Sequence, residues 1–471
     1  MTTRIPPGPR LPAPLQHLML VVSRRQSMRA FRRRYGSAFT IRPLTGPAVV
    51  LSDPALVRQL FLTSSDLVGN AELNLGRVFG PASLLGLEGE RHHQHRKLLA
   101  PPFYGQRMQS YEAIVEEETR REAASWPEGE PVEVLPPMTR ITLNVMLRAI
   151  FGSDGPELDA LRVLTPLLTS LGTRLFLLPL PRTDLGRLTP WGRFNGYRRR
   201  FDAAVDALIA RAQADPAFAD RHDVLSIMLR ARYDDGEPMS HQDIADEVLT
   251  LLVAGHETTA GTLAWAIERI CRHPSLLARL ASEASAGGGE LRRATILEVQ
   301  RVRPVVDIAG RQVLAGSVRL GEWEIPHGYT ILVGIHLMHS DDSVFPDAAA
   351  FNPDRFAGVR PDRYAWVPFG GGYRRCIGAA FAEMEMDIVI RTLLRDFELD
   401  TTGEPDERWH SRGISFVPAK GGRVVVRRRA AAAPARPVPS SAASCPVPPS
   451  AATSPVPPSA ASHPVSQRIV A

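Results

Sequence analysis

The stretch FGGGYRRCIG, Phe369 to Gly378, decides how the rest of the sequence reads. It carries one of only three cysteines in 471 residues; the others are Cys271 and Cys445. A lone cysteine is most often a small buried hydrophobe. The glycines Gly370 to Gly372 argue against that role here. They tolerate positive φ and let the backbone come very close to a neighbour. Such a loop can also aim several N–H groups at a sulfur, which tunes a metal-bound thiolate.

The totals narrow the possibilities. Apolar residues make up 44% of the chain and charged residues 23%, ordinary values for a globular protein with a large core. The net charge of +6 is modest for this length, and Lys97 and Lys420 are the only lysines. No compact basic block with interleaved aromatics points to nucleic acid. Three scattered cysteines make no disulfide framework, so the cytosol is the natural compartment. The start MTTRIPPGPRLPAP has no apolar core of signal-peptide length, and the run Leu18 to Val22 is far too short to span a bilayer. A cytoplasmic protein without a transmembrane anchor is expected.

A Pro-rich start leads into an arginine-rich helix that Gly36 ends. FTIRPL and AVVLSD flank TGP and predict a β-hairpin. Helical periodicity then dominates from about Pro54 to Leu280. Its longest stretch, SHQDIADEVLTLLVAGHETTAGTLAWAIERICRHP, opens with a capping box at Ser240 and Asp243 and closes at Pro274. A helix that long and apolar should run through the middle of the fold. A shorter helix ends at Pro304, and strands follow in QVLAGSVRL, WEIPHGYTILVG and ISFVPAKGGRVVVRR, the last turning at Gly421 and Gly422. From residue 430 the chain becomes a Pro/Ser/Ala repeat whose units begin at Pro437, Pro446 and Pro455. This composition cannot bury a core and predicts disorder. The expectation is one domain over residues 1–429 and a tail over 430–471.

Four groups of residues carry chemistry. Cys376 has no companion cysteine or histidine nearby, which does not suit zinc but does suit a single axial thiolate on a haem iron. Within AGHETT, Gly255 costs a helix about 1 kcal/mol relative to alanine. A threonine hydroxyl there can bond the carbonyl one turn back. Together they mark a local opening in the long helix. In EVQRVRP, Glu298 and Arg301 stand at i, i+3 and can pair on one face. In GERHHQHRKLL, His92 and Arg96 stand at i, i+4 and share a face; His93 and His95 fall on others and receive no role.

The cysteine loop resembles the haem-binding loop of the cytochrome P450 monooxygenases, matching F-x-x-G-x-R-x-C-x-G with Phe369, Gly372, Arg374, Cys376 and Gly378. AGHETT resembles that family's oxygen-binding stretch, and E-x-x-R-x-x-P its ExxR helix. The resemblance runs from about Pro6 to Arg428. It implies a mainly α cytochrome P450 fold, helix-rich, with small antiparallel sheets and a long central helix. It implies haem b (iron protoporphyrin IX), held non-covalently because there is no C-x-x-C-H. Cys376 would be the proximal iron ligand, with Phe369 packing over the sulfur side and Gly378 closing the loop. Gly255 would leave room for O2. Glu257 and Thr258 would be the acid–alcohol pair that relays protons to dioxygen. Glu298, Arg301 and Arg355 would form a buried network locking the cysteine loop. His92, Arg96, Arg311 and Arg374 would hold the haem carboxylates.

The implied activity is insertion of one oxygen atom of O2 into a small hydrophobic substrate. Leu84, Leu85, Leu175, Phe176, Leu177 and Val306 are pocket candidates. No G-x-G-x-x-G and no ferredoxin-like cysteine cluster is present, so electrons should come from a separate ferredoxin and ferredoxin reductase. Arg375 and Lys97 are candidate docking charges. A monomer is expected. A peroxide-fed peroxygenase and a non-catalytic haem sensor stay open. His339 to Asp347, HSDDSVFPD, departs from the family pattern by placing Asp342 at a common proline position.

Overall fold

A computed structural model describes residues 4–71, 75–105, 107–152, 155–177 and 183–429. The expected repeat tail from residue 430 lies outside the described residues. Helix His241–Cys271 is the axis of the fold. Its capping box is formed: Ser240 Oγ accepts from the Asp243 amide at 3.0 Å, and Asp243 Oδ2 accepts from the Ser240 amide. Its 31 residues rise about 46 Å. From Ile244 to Cys271 nearly every side chain is buried, as an all-round apolar pattern requires. Pro274 stands at the first position of the next helix, Pro274–Ala286.

Helix Leu135–Phe151 packs closely along this axis. Thr142 Oγ1 donates to the His256 carbonyl at 3.0 Å. A Cβ on Gly255 would lie 2.8 Å from the Met146 sulfur. The backbone of the central helix is helical throughout. The glycine therefore admits a neighbouring helix rather than breaking its own. Helices Asp159–Leu177, Pro190–Ala214 and Ala379–Asp396 complete the helical body.

The N-terminal hairpin forms with Ala38 opposite Leu51. It joins a five-stranded sheet in the order Ala38–Ile41, Ala48–Leu51, Thr330–Gly334, Ile308–Val313, Val68–Asn70. Pairing in the described sheets is antiparallel except between Ala48–Leu51 and Thr330–Gly334. Parallel strands need a long crossover, and most of the helical body supplies it. QVLAGSVRL is split between two sheets, with Ile308–Val313 in the large one and Ser317–Leu320 paired to Trp323–Pro326. Gly421 and Gly422 do turn the chain, at φ 74° and 70°. The strands they join do not pair with each other. Phe416–Pro418 pairs with Trp409–Ser411, whereas Arg423–Arg428 pairs with Phe397–Thr401 and Pro131–Glu133. A turn signal sets the bend, and the partner strands come from elsewhere.

Helix Glu290–Val302 carries the deepest ion pair. Arg301 Nε and Nη2 each meet a Glu298 oxygen at 2.7 Å, and both side chains are fully buried. The remaining guanidinium donors reach the carbonyls of His339, Ala348 and Ala350, all at 2.8 Å. Glu298 Oε1 also accepts from the Asn352 amide, and Arg355 Nε stands 3.5 Å from Oε2. Arg355 spends its Nη donors on the Pro346 and Asp347 carbonyls. Asp342, the departure from the family pattern, accepts from the Ala348 amide at 2.9 Å and so belongs to the same network. Two buried charges with every donor used are stable together and costly apart. Arg301→Ala should therefore lower unfolding free energy by about 3–5 kcal/mol, measured by denaturant titration. Arg301→Lys should not restore it, because an ammonium has no fork.

Candidate functional site

The ion-pair network leads to the cysteine loop in four steps. Arg301 holds the His339 carbonyl; His339 Nε2 accepts from the Val367 amide at 3.1 Å. The Val367 carbonyl accepts from Gly370, and the Phe369 carbonyl accepts from Cys376 at 3.0 Å. Trp366 adds a second tie by donating to the Leu297 carbonyl, and Phe369 meets its ring edge-on at 6.1 Å.

Two of the three glycines admit Phe61, not a sulfur. A Cβ on Gly371 would lie 2.2 Å from the Phe61 ring, and one on Gly372 would lie 2.7 Å from the Phe61 carbonyl. Gly370 and Gly372 also adopt φ of 64° and 65°, which disfavours a side chain. The loop is thus clamped from behind by helix Pro54–Leu62, and Cys376 is left on its open side.

Cys376 is solvent-accessible yet enclosed by protein on most sides. Burial pushes its thiol up, while the Gly378 amide and the charges of Arg375 and Arg96 act in the opposite direction. A second opening lies in the middle of the central helix. Ala254 is exposed and Gly255 half-buried, between the buried Val253 and His256. Thr258, one turn on, donates its hydroxyl to the Ala254 carbonyl at 2.7 Å. An exposed residue in the middle of an otherwise buried helix marks an opening beside that helix. Ala254 and the half-buried Gly255 are the small residues on this opening. The preceding residue, Val253, lines a narrow apolar cleft with Phe79, Leu168, Phe194, Leu249 and Ile414. The cleft's hydroxyls, Thr169 and Thr173, donate to their own helix. Of the pocket candidates, Leu84 and Leu175 are buried, while the side chains of Phe176 and Leu177 lie outside the described residues.

His92, Arg96, Arg311 and Arg374 form a field of like charge. Burial and the guanidiniums of Arg374, Arg96 and Arg311 push His92 down to about 3. Burial pushes Arg311 down to about 10, and Arg96 and Arg374 shift the same way. Arg374 donates to the Leu84 and Leu87 carbonyls, and its Nε has no partner. Arg311 donates to the Gly310 and Gly371 carbonyls. No carboxylate among the described residues makes a salt bridge to any of the three arginines. Buried cations without counter-ions call for an anion. An accessible thiol, an exposed position in the middle of the central helix and an uncompensated cationic field together fit haem, whose two carboxylates and iron match the donors present.

Glu257 lies on another face of the central helix. Ser415 donates to its Oε1 at 3.0 Å, burial raises its pKa, and Arg412 opposes that rise. Both partners belong to the turn after strand Trp409–Ser411. Sequence reading did not find them, because their only signal is spatial. It also left His95 without a role. The structure buries His95 Nδ1 2.8 Å from Glu247 Oε1, with the Tyr233 hydroxyl 2.9 Å from Nε2, pinning helix Gly89–Leu99 to the central helix. Of the candidate docking charges, Arg375 is exposed and Lys97 pairs with Asp234 at 3.2 Å.

The family model described as cytochrome P450 matches residues 6–422. Cytochrome P450 138 of Mycobacterium tuberculosis is 55% identical over 427 residues, covering 90% of this chain and 97% of its own. Cytochrome P450 135B1 of the same organism is 37% identical over 433 residues, covering 90% and 91%. Among solved structures, the retinoic acid-bound cyanobacterial CYP120A1 superposes with a TM-score of 0.79 at 25% identity, covering 91% of this chain and all of its own.

The clamp on the loop is testable by a double-mutant cycle. Gly371→Ala keeps an extended backbone, at φ −166°, but collides with Phe61. It should lower haem content per chain, read from Soret absorbance. Adding Phe61→Ala should recover part of that loss. Full haem content in the single variant would mean the contact does not set the loop.

Proposed function

Because the chain belongs to the cytochrome P450 family of haem-thiolate monooxygenases, we propose that it hydroxylates or epoxidises a small apolar substrate with electrons from a separate ferredoxin and ferredoxin reductase. The observation that carries this reading is the accessible Cys376 thiol close to Arg96, one of a set of arginines that no carboxylate among the described residues pairs. Bound haem supplies the redox-active iron at which O2 is reduced. The overall reaction joins one oxygen atom to the substrate and converts the other to water, consuming two electrons and two protons.

The chain's own residues then have four tasks. Cys376 is the iron ligand; the Gly378 amide and the positive charges of Arg375 and Arg96 favour its thiolate. His92, Arg96, Arg311 and Arg374 bind the haem carboxylates, which relieve the like-charge field described above. Glu298, Arg301 and Arg355 hold the loop in place and touch no reacting atom. Glu257 and Thr258 handle protons. Thr258 commits its hydroxyl proton to the Ala254 carbonyl, so its lone pairs can accept a hydrogen bond from a species in the opening. Glu257, half-buried and raised in pKa by that burial, keeps a proton available further up the pH scale than a surface glutamate. The exposed Arg412 beside it opens towards solvent.

An apolar substrate is supported by the cleft walls and by hydroxyls that are already satisfied. The likeness to a retinoic acid-bound structure supports an elongated apolar molecule.

Turnover with NAD(P)H, ferredoxin and reductase, compared with hydrogen peroxide alone, tests the reading. Substrate-dependent NAD(P)H consumption is expected, and turnover with peroxide alone would overturn it. Thr258→Ala should retain haem and lose coupling, releasing more peroxide; full coupling would remove the role given to this hydroxyl. Ser415→Ala deletes a hydrogen bond that lowers the Glu257 pKa. The alkaline limb of the pH–rate profile, where Glu257 loses its proton, should therefore move to higher pH. A limb that stays in place or moves down would separate Glu257 from proton delivery.

A further inference from the structure

Residues 1–52 hold nine arginines and no acidic side chain; the first is Asp53. Of the 56 basic and 50 acidic residues in all, the remainder of the chain keeps 47 and 50. The net positive charge therefore belongs entirely to the N-terminal segment, and most of that segment's arginines lie on helix Ala13–Tyr35.

The two halves of this helix are treated differently. The second half buries Met28 and Phe31 against Phe39, Ile41 and Val50. The first half leaves Leu15, Leu18, Val21 and Val22 at 43%, 56%, 46% and 75% exposure, with Leu11 just ahead at 38%. Positions 15, 18 and 22 form one helical stripe, with Leu11 just ahead of the helix. Its outward direction is fixed from the opposite side. Gln16 is buried there, donating to the Leu11 carbonyl at 2.7 Å and accepting from the Arg42 amide at 2.8 Å. A kink at Ser23 (φ −142°, ψ 42°) separates the halves. Beyond it Arg29, Arg33 and Arg34 are exposed, and none makes a salt bridge among the described residues.

An exposed apolar stripe leading into unpaired guanidiniums, with no acid on the segment, is complementary to an anionic bilayer surface. Apolar side chains enter the acyl boundary and guanidiniums meet phosphates. We propose that helix Ala13–Tyr35 docks this enzyme reversibly on an anionic lipid surface, with Leu11, Leu15, Leu18 and Val22 inserted. Among the described residues no helix is long and apolar enough to cross a membrane, so the contact lies along the surface. The same helix lays Arg25 over the Trp409 ring at 3.4 Å and Arg24 over Phe416 at 4.6 Å. Those rings flank the turn whose Ile414 lines the apolar cleft. Docking therefore brings the cleft's edge towards the phase in which apolar substrates dissolve. This last link rests on the proposed substrate class; the docking itself does not.

Flotation of the full-length holoenzyme tests the proposal, using vesicles of phosphatidylcholine alone or mixed equally with phosphatidylglycerol. The protein should float with the mixed vesicles and about tenfold less with the neutral ones. Leu18→Glu with Val22→Glu should abolish flotation without changing haem content or the carbon monoxide spectrum. Arg33→Glu with Arg34→Glu should weaken it about tenfold. Wild-type protein that stays in solution with the mixed vesicles overturns the proposal, as does unchanged flotation of the leucine–valine variant. If that variant instead dissociates a dimer in sedimentation, or loses ferredoxin-supported turnover without vesicles, the stripe is a protein interface and the lipid assignment fails.

Discussion

The buried fork between Arg301 and Glu298 is the interaction on which the site depends. Both charges are fully removed from water, which is favourable only when every donor and acceptor is used. Satisfying them draws in the carbonyls of His339, Ala348 and Ala350 and the Asn352 amide. These groups lie on an irregular segment with little regular structure of its own. The ion pair thus orders a long loop by making it the solvation shell of two charges. His339 then passes that order to Val367, and the backbone passes it to Cys376.

Charge is treated in the opposite way at the other end of the loop. Arg374, Arg311 and Arg96 keep company with His92 and lack an acidic partner, and the cost appears as depressed pKa values. One arginine cluster is complete without a ligand; the other is complete only with one. Haem b, the cofactor of this family, carries two carboxylates, and the proposed role of these arginines would couple its binding to the electrostatic stability of the fold.

Much of this was legible from local pattern. The capping box at Ser240 and Asp243 located the long helix because both halves of the signal lie within four residues. Glu298 and Arg301 are one helical turn apart, so their pairing was visible before any tertiary contact. His92 and Arg96 share a face for the same reason. The loop glycines announce close approach in the sequence, and the neighbours that the glycines admit are supplied by the structure. Gly371 and Gly372 admit Phe61, and Gly255 admits Met146. A glycine announces that something comes near; its identity depends on chain segments hundreds of residues away. Ser415 and Arg412 beside Glu257, and Glu247 beside His95, were invisible for the same reason.

By itself the sequence determined the family and with it the haem cofactor, since the motifs that carry the family rest on residues at short, fixed spacings along one loop or one helix. It also held the charge asymmetry of the first 52 residues. Only the tertiary structure decided which faces those residues present. It exposed Ala254 in the middle of a buried helix, tied Glu257 to a distant turn, and left Leu18 and Val22 in solvent rather than in the core. The physical reason is that spacing specifies neighbours along a helix, whereas exposure and partnership are properties of packing between segments that the chain brings together only when folded.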